Sequence, residues 1–172
     1  MRKTQVWIYA VLLAASAGWI SSACRPKNDQ AQILGLIDRM GSLVEDKDTS
    51  GLLSVLDEDY KDFQNRGKQE TEAMVRDYFR EYRGIVLHIL GTRIEEIKGA
   101  EASVLTEVVL SSGAAEVFRK LFRAFGDFYR FDFRLFKAGK EWRISYAGWQ
   151  NIGLNDLSPE SLSRLKRIFP GI

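Results

Sequence analysis

One histidine and a run of four carboxylates are the side chains in this sequence best suited to proton transfer. His88 is the sole histidine, and an imidazole titrating near neutrality can act as a general base. Its neighbours two positions away on either side are Val86 and Leu90, a setting that equally suits a packed imidazole with its ring nitrogens satisfied. Asp57, Glu58, Asp59 and Asp62 crowd a short stretch. In a dry site such carboxylates push their pKa values apart and divide acid and base roles; in an exposed loop they are solvated charge that stops a helix. The loop is the expectation here. With one histidine and one cysteine there is no zinc-ligand spacing. No G-x-S-x-G elbow and no glycine-rich phosphate loop occurs. Hence no metal and no cofactor is expected.

A second set of residues is aromatic. Tyr60 and Phe63 follow the acids and are expected to turn inward as plugs. Tyr78, Phe131, Phe133, Trp142, Tyr146 and Trp149, with Tyr60, are candidates to line a cavity, or simply to fill it. Any that are buried with a polar tip need a hydrogen-bond partner.

These residues are positioned by elements that the apolar spacing predicts. Ile33, Leu36, Ile37, Met40, Leu43 and Val44 recur at helical intervals. Asp48 or Thr49 can cap a second, short helix bearing Leu52, Leu53, Val55 and Leu56. Met74, Val75, Tyr78, Phe79 and Tyr82 mark a third helix, stopped at Gly84. From Ile85 the pattern turns β-branched and aliphatic. Residues 85–97 and 102–110 read as one hairpin, apolar on both faces, so both faces must be covered. Helices can cover one face, and a second copy of the chain is a candidate for the other. A second hairpin turns at Ala138-Gly139, which sets Leu135 opposite Trp142, Phe133 opposite Ile144 and Phe131 opposite Tyr146. Between the hairpins, Phe118, Leu121, Phe122 and Phe125 form an amphipathic helical stripe, read as a lid or as a membrane contact. Ser158 and Pro159 open a C-terminal helix that Leu162, Leu165 and Phe169 can dock.

Helices followed by antiparallel strands indicate an α+β domain. At LVEDKDTSGLLSVLDEDYKDF and EWRISYAGW the chain resembles the nuclear transport factor 2-like superfamily, which includes SnoaL-like proteins. The resemblance spans roughly residues 30–150. It implies three N-terminal helices on a curved antiparallel sheet of about four strands, the cystatin-like cone; the inserted helix and a C-terminal helical extension at 151–172 exceed that pattern. The superfamily holds enzymes and non-catalytic proteins alike, so fold alone does not decide function. Two functions follow as expectations. One is a non-catalytic domain that binds a small apolar ligand or a protein. The other is a lyase or isomerase in which His88, Asp59 or Asp62 is the base and Tyr146 the proton donor.

The N-terminus concerns location rather than chemistry. Arg2 and Lys3 precede the uncharged stretch 6–20, and Ser21, Ser22 and Ala23 lead into Cys24. A basic start, a short apolar centre and small closing residues make an export signal, too short for a spanning helix. Cys24 has no second cysteine to pair with. The segment is similar to the signal of bacterial lipoproteins, although Ser21 stands where a large apolar residue is usual. That likeness implies cleavage after residue 23, a lipid on Cys24 and a tether at 24–30. The same likeness implies the outer membrane, because Arg25 stands where some lipoproteins carry an aspartate that retains them at the inner membrane. Removal of 1–23 leaves 23 basic against 23 acidic residues. A balanced chain gives no reason to expect nucleic acid as a partner.

Overall fold

The computed structural model describes residues 26–82, 84–112 and 127–170. The expected leader, Cys24 and the stripe at 116–125 lie outside these residues. The chain divides into two units, Met1–Gln32 and Ile33–Ile172. The described part of the first, residues 26–32, is helical.

Helix α1 runs Pro26–Glu45. It starts inside the stretch expected to be a tether, at a proline whose fixed φ suits a first helical turn. From Ile33 onward its apolar stripe packs on the sheet, with Ile33 and Ile37 in the core. Asp48 accepts the Gly51 N–H at 2.8 Å and caps α2, Thr49–Ser54. Helix α3 spans Lys68–Glu81, and Glu70 in its first turn accepts the Gly67 N–H. The Lys47 ammonium donates to the carbonyls of Phe79 and Tyr82, which ties the α1–α2 turn to the end of α3.

Five strands form one sheet: β1 Leu56–Asp62, β2 Ile85–Lys98, β3 Glu101–Ser112, β4 Asp127–Ala138 and β5 Glu141–Ile152. Their order is β1-β5-β4-β3-β2. β1 runs parallel to β5 and the other pairs are antiparallel. Three expectations are corrected here: the sheet has five strands rather than about four, it is mixed rather than wholly antiparallel, and the acid-rich stretch is the edge strand β1 rather than a loop. Acidic residues disfavour strands, but Glu58 and Asp59 project into solvent while Leu56, Tyr60 and Asp62 are buried. Outward charge on an edge strand also blocks pairing with another sheet.

Glycine sets both hairpin turns. Gly99 and Gly139 have φ near +63° and +65° at the first turn position, where a two-residue turn of this kind demands it. The second turn is therefore Gly139-Lys140, one residue beyond the expected one. Each partner moves two places, which keeps its face: Leu135 now pairs with Ile144. A bulge at that point then inverts the pattern. Arg134 pairs with Tyr146, Phe133 with Ala147 and Phe131 with Trp149. The expected Phe131–Tyr146 pair does not form, and the two lie on opposite faces. β2 carries bulges of its own, at Leu90 and near Glu95, so the first hairpin's register also departs from the expected alternation.

One face of the sheet packs on α1 and α2 through Ile33, Ile37, Val104, Phe133, Leu135 and Ile144, with Leu53 and Trp149 at the margin. On the other, Leu90, Val109 and Ile152 pack with Leu157 and Leu165. Leu165 lies on α4, Pro159–Ile168, and Ser158 caps that helix as expected. Part of the second apolar face is thus packed by the chain's own C-terminal helix. β5 ends at Ile152, so the expected domain boundary at residue 150 falls within a strand.

Candidate functional site

The helical spacing of α3 places Thr71, Met74, Val75, Tyr78 and Phe79 on one stripe. That stripe faces Met40 and Val44 of α1, Leu52 and Leu53 of α2 and the sheet residues Tyr60, Tyr129, Phe131, Phe133, Ala147 and Trp149, around a cavity of about 330 Å³. The volume lies at the small end of the range for small-molecule sites, and the lining is apolar with few polar atoms, as such sites generally are. Flat rings make much of one wall: Phe131 and Phe133 stack at 5.5 Å with 9° between planes.

Of the residues expected to line a cavity, Tyr60, Tyr78, Phe131, Phe133 and Trp149 do so. Trp142 is in the core near the β4–β5 turn, with the Lys137 ammonium 5.5 Å from its ring. Tyr146 is on the opposite face of the sheet, its ring under the Arg134 guanidinium at 4.9 Å. Phe63, expected as a plug, is 46 % exposed. It meets the Trp149 ring edge-on at 4.6 Å.

The candidate catalytic residues are not brought together. His88 pairs with Val109 on the α4 side, and its ring stands 5.8 Å from that of Phe169. Asp59 is exposed. Asp62 is buried, and burial alone would raise its pKa. The Arg66 N–H, the Arg66 guanidinium and the Gln64 N–H outweigh that and hold it below the usual carboxylate range. It is a turn-forming carboxylate at the end of β1, with Arg66 Nε at 2.6 Å. Among the described residues that line the cavity there is no carboxylate and no imidazole. No group of described residues has the make-up of a metal site.

Polar character in the cavity comes from hydroxyls. Burial and the nearby Asp62 push the Tyr60 phenol up to about 12. Thr71 lies close enough to oppose that shift, yet its Oγ1 is buried without a hydrogen bond of acceptable geometry. Thr71 was not singled out from sequence, because it is the polar member of an apolar stripe. The signal was its place three and four residues before Met74 and Val75.

A separate cleft of about 450 Å³ lies beside α4. Its buried acid, Glu107, accepts from Arg130 Nη2 at 2.7 Å, the Ser158 N–H at 3.0 Å and the Ser158 hydroxyl at 2.8 Å. Those groups satisfy one another and hold the helix.

No family model and no curated protein matches the chain. Solved structures do. A nuclear transport factor 2-like protein of unknown function from Pseudomonas putida KT2440 superposes with a TM-score of 0.63 at 16% identity, over 77% of this chain and 98% of that one. A nuclear transport factor 2-like protein with a cystatin-like fold from Novosphingobium aromaticivorans gives 0.61 at 18% identity, over 89% and 94%. The hexachlorocyclohexane dehydrochlorinase LinA-type3 from Novosphingobium barchaimii LL02 gives 0.60 at 11% identity, over 73% and 88%. At these identities the likeness concerns architecture alone, and by it the chain has the nuclear transport factor 2-like, cystatin-like cone fold.

Proposed function

We propose that this is an exported envelope protein, anchored by lipid on Cys24, whose cone-fold domain binds a small apolar molecule without transforming it. The observation that carries the binding part is the ring-lined cavity between α3 and the sheet, which has hydroxyls as its polar groups and no acid–base pair among its described residues. General acid–base chemistry needs a group that can take or give a proton within ~2.6–3.2 Å of the reacting atom. His88 and Tyr146 lie on the other face of the sheet, and Asp62 is committed to Arg66. The anchoring part rests on the sequence of residues 1–24.

The test is titration of the protein with N-phenyl-1-naphthylamine, an uncharged apolar fluorophore. One molecule per chain is expected to bind with enhanced emission. Val75→Phe, which places a ring in the cavity, should abolish the signal while leaving the circular dichroism unchanged. Absence of saturable binding to the unaltered protein would refute the reading.

A further inference from the structure

We propose that the cavity selects an uncharged, ring-sized molecule bearing one hydroxyl or carbonyl oxygen, which docks between the hydroxyls of Thr71 and Tyr60. This rests on the reading of the cavity as a ligand site and adds the chemistry of its occupant. Thr71 is 7 % exposed, and its Oγ1 makes no hydrogen bond of acceptable geometry, although it stands close enough to the Tyr60 phenol to oppose the rise of that group's pKa. A threonine inside a helix commonly turns its hydroxyl back to the carbonyl four residues earlier. Here the Gly67 carbonyl accepts the Thr71 N–H at 2.9 Å, and the hydroxyl makes no hydrogen bond of good geometry to it or to any other described group. A buried hydroxyl without a partner is costly, so such groups are normally paired or await a group that binds there. The Tyr60 phenol is the neighbouring hydroxyl, and both residues line the cavity. A guest oxygen within reach of both would supply the well-aligned hydrogen bond that Thr71 lacks.

The guest's lack of charge follows from the surroundings. Burial and Asp62 already resist a phenolate at Tyr60, and the same field opposes any anion placed beside it. An ammonium group would find no carboxylate among the described lining residues. The stacked Phe131 and Phe133 rings, with Trp149, offer flat walls suited to a planar body.

Isothermal titration of the full chain with naphthalene, 1-naphthol and 1-naphthoate tests this. 1-Naphthol is expected to bind about tenfold more tightly than naphthalene, the worth of one net hydrogen bond, and 1-naphthoate most weakly. Thr71→Val should erase the advantage of naphthol while leaving naphthalene within about twofold. Thr71→Ser, which keeps the hydroxyl, should retain it. Equal affinities of the unaltered protein for naphthol and naphthalene, or tightest binding of naphthoate, would overturn the hydroxyl anchor and leave the cavity reading standing. Failure of all three probes to bind would bring down both. If Thr71→Val does not fold, the ranking of the three probes by the unaltered protein decides alone.

Discussion

At the scale of single residues, the strongest polar arrangement belongs to a helix anchor and not to the cavity. Burial alone would raise the pKa of Glu107. Hydrogen bonds from Ser161, the Ser158 N–H, Arg130 and the Ser158 hydroxyl outweigh it and bring the carboxyl down to about 2. An unfolded glutamate titrates near 4.5, so the unfolded chain takes up this proton first as pH falls. The stabilisation is therefore complete above pH 4.5 and fades as pH drops toward about 2. Glu107→Gln should cost about 3 kcal/mol at pH 7, because Arg130 loses its charged partner in a largely buried setting. The variant should also show a flatter stability between pH 4.5 and 2, read by urea denaturation across that range. An unchanged slope there would mean that another acid governs it. Individual roles of this kind were hidden in the sequence. Glu107 lies between Thr106 and Val108 in an aliphatic run, and its partners at 130 and 158 are remote in the chain. His88 and Tyr146 look suited to catalysis by type alone, and only the strand register reveals that both face away from the cavity.

Elements were more legible than residues, and the departures have physical causes. The helical stripes of α1 and α3 and the cap of α4 are local signals, set within one or two turns, and the structure carries them. Strand pairing is set by turns and bulges, where one residue shifts every later partner. The extra residue at Ser145 places Tyr146 on the Arg134 face. β1 was obscured because an edge strand needs only part of one face buried, and its acids dominate its composition. The bulge at Leu90 has a use. Leu90, two residues on from His88, packs in the α4 cluster, and the bulge brings Gly91 onto the same face opposite Glu107, where a Cβ would stand 2.5 Å from Ser161 Oγ. Ser161 is itself fully buried, so little room exists for it to move. Gly91→Val should therefore push α4 away from β2, at a cost of about 1–3 kcal/mol. Hydrogen exchange would rise first in α4 and along β2 near the bulge, with α1 and α3 unaffected. Uniform loss of protection across all helices would show that the contact is not local.

For the whole molecule, the question is how the domain proposed to bind a small ligand would be kept where that ligand is. Among the described residues no helix is long and apolar enough to cross a membrane. The sequence offers Cys24, and α1 begins at Pro26, which leaves only Arg25 between a lipid on that cysteine and the first helical residue. In place of the six-residue tether expected after the cysteine, the spacer would be one residue. A single acyl chain gives only marginal membrane binding. The lipoprotein-type anchor, with its two chains on the cysteine, is the kind that holds a net-neutral domain without help from a basic patch. The expected outcome in a bacterial host is a membrane-bound chain that begins at residue 24, with a mass raised by the lipid and incorporation of labelled fatty acid. Cys24→Ser should release the protein from the membrane fraction and abolish the label, while its affinity for N-phenyl-1-naphthylamine stays the same. That last measurement separates the two halves of the proposal. Unchanged binding after release would mean that location and recognition are independent properties of one chain. A loss of both together would mean that the anchor, or the membrane it reaches, takes part in forming the site.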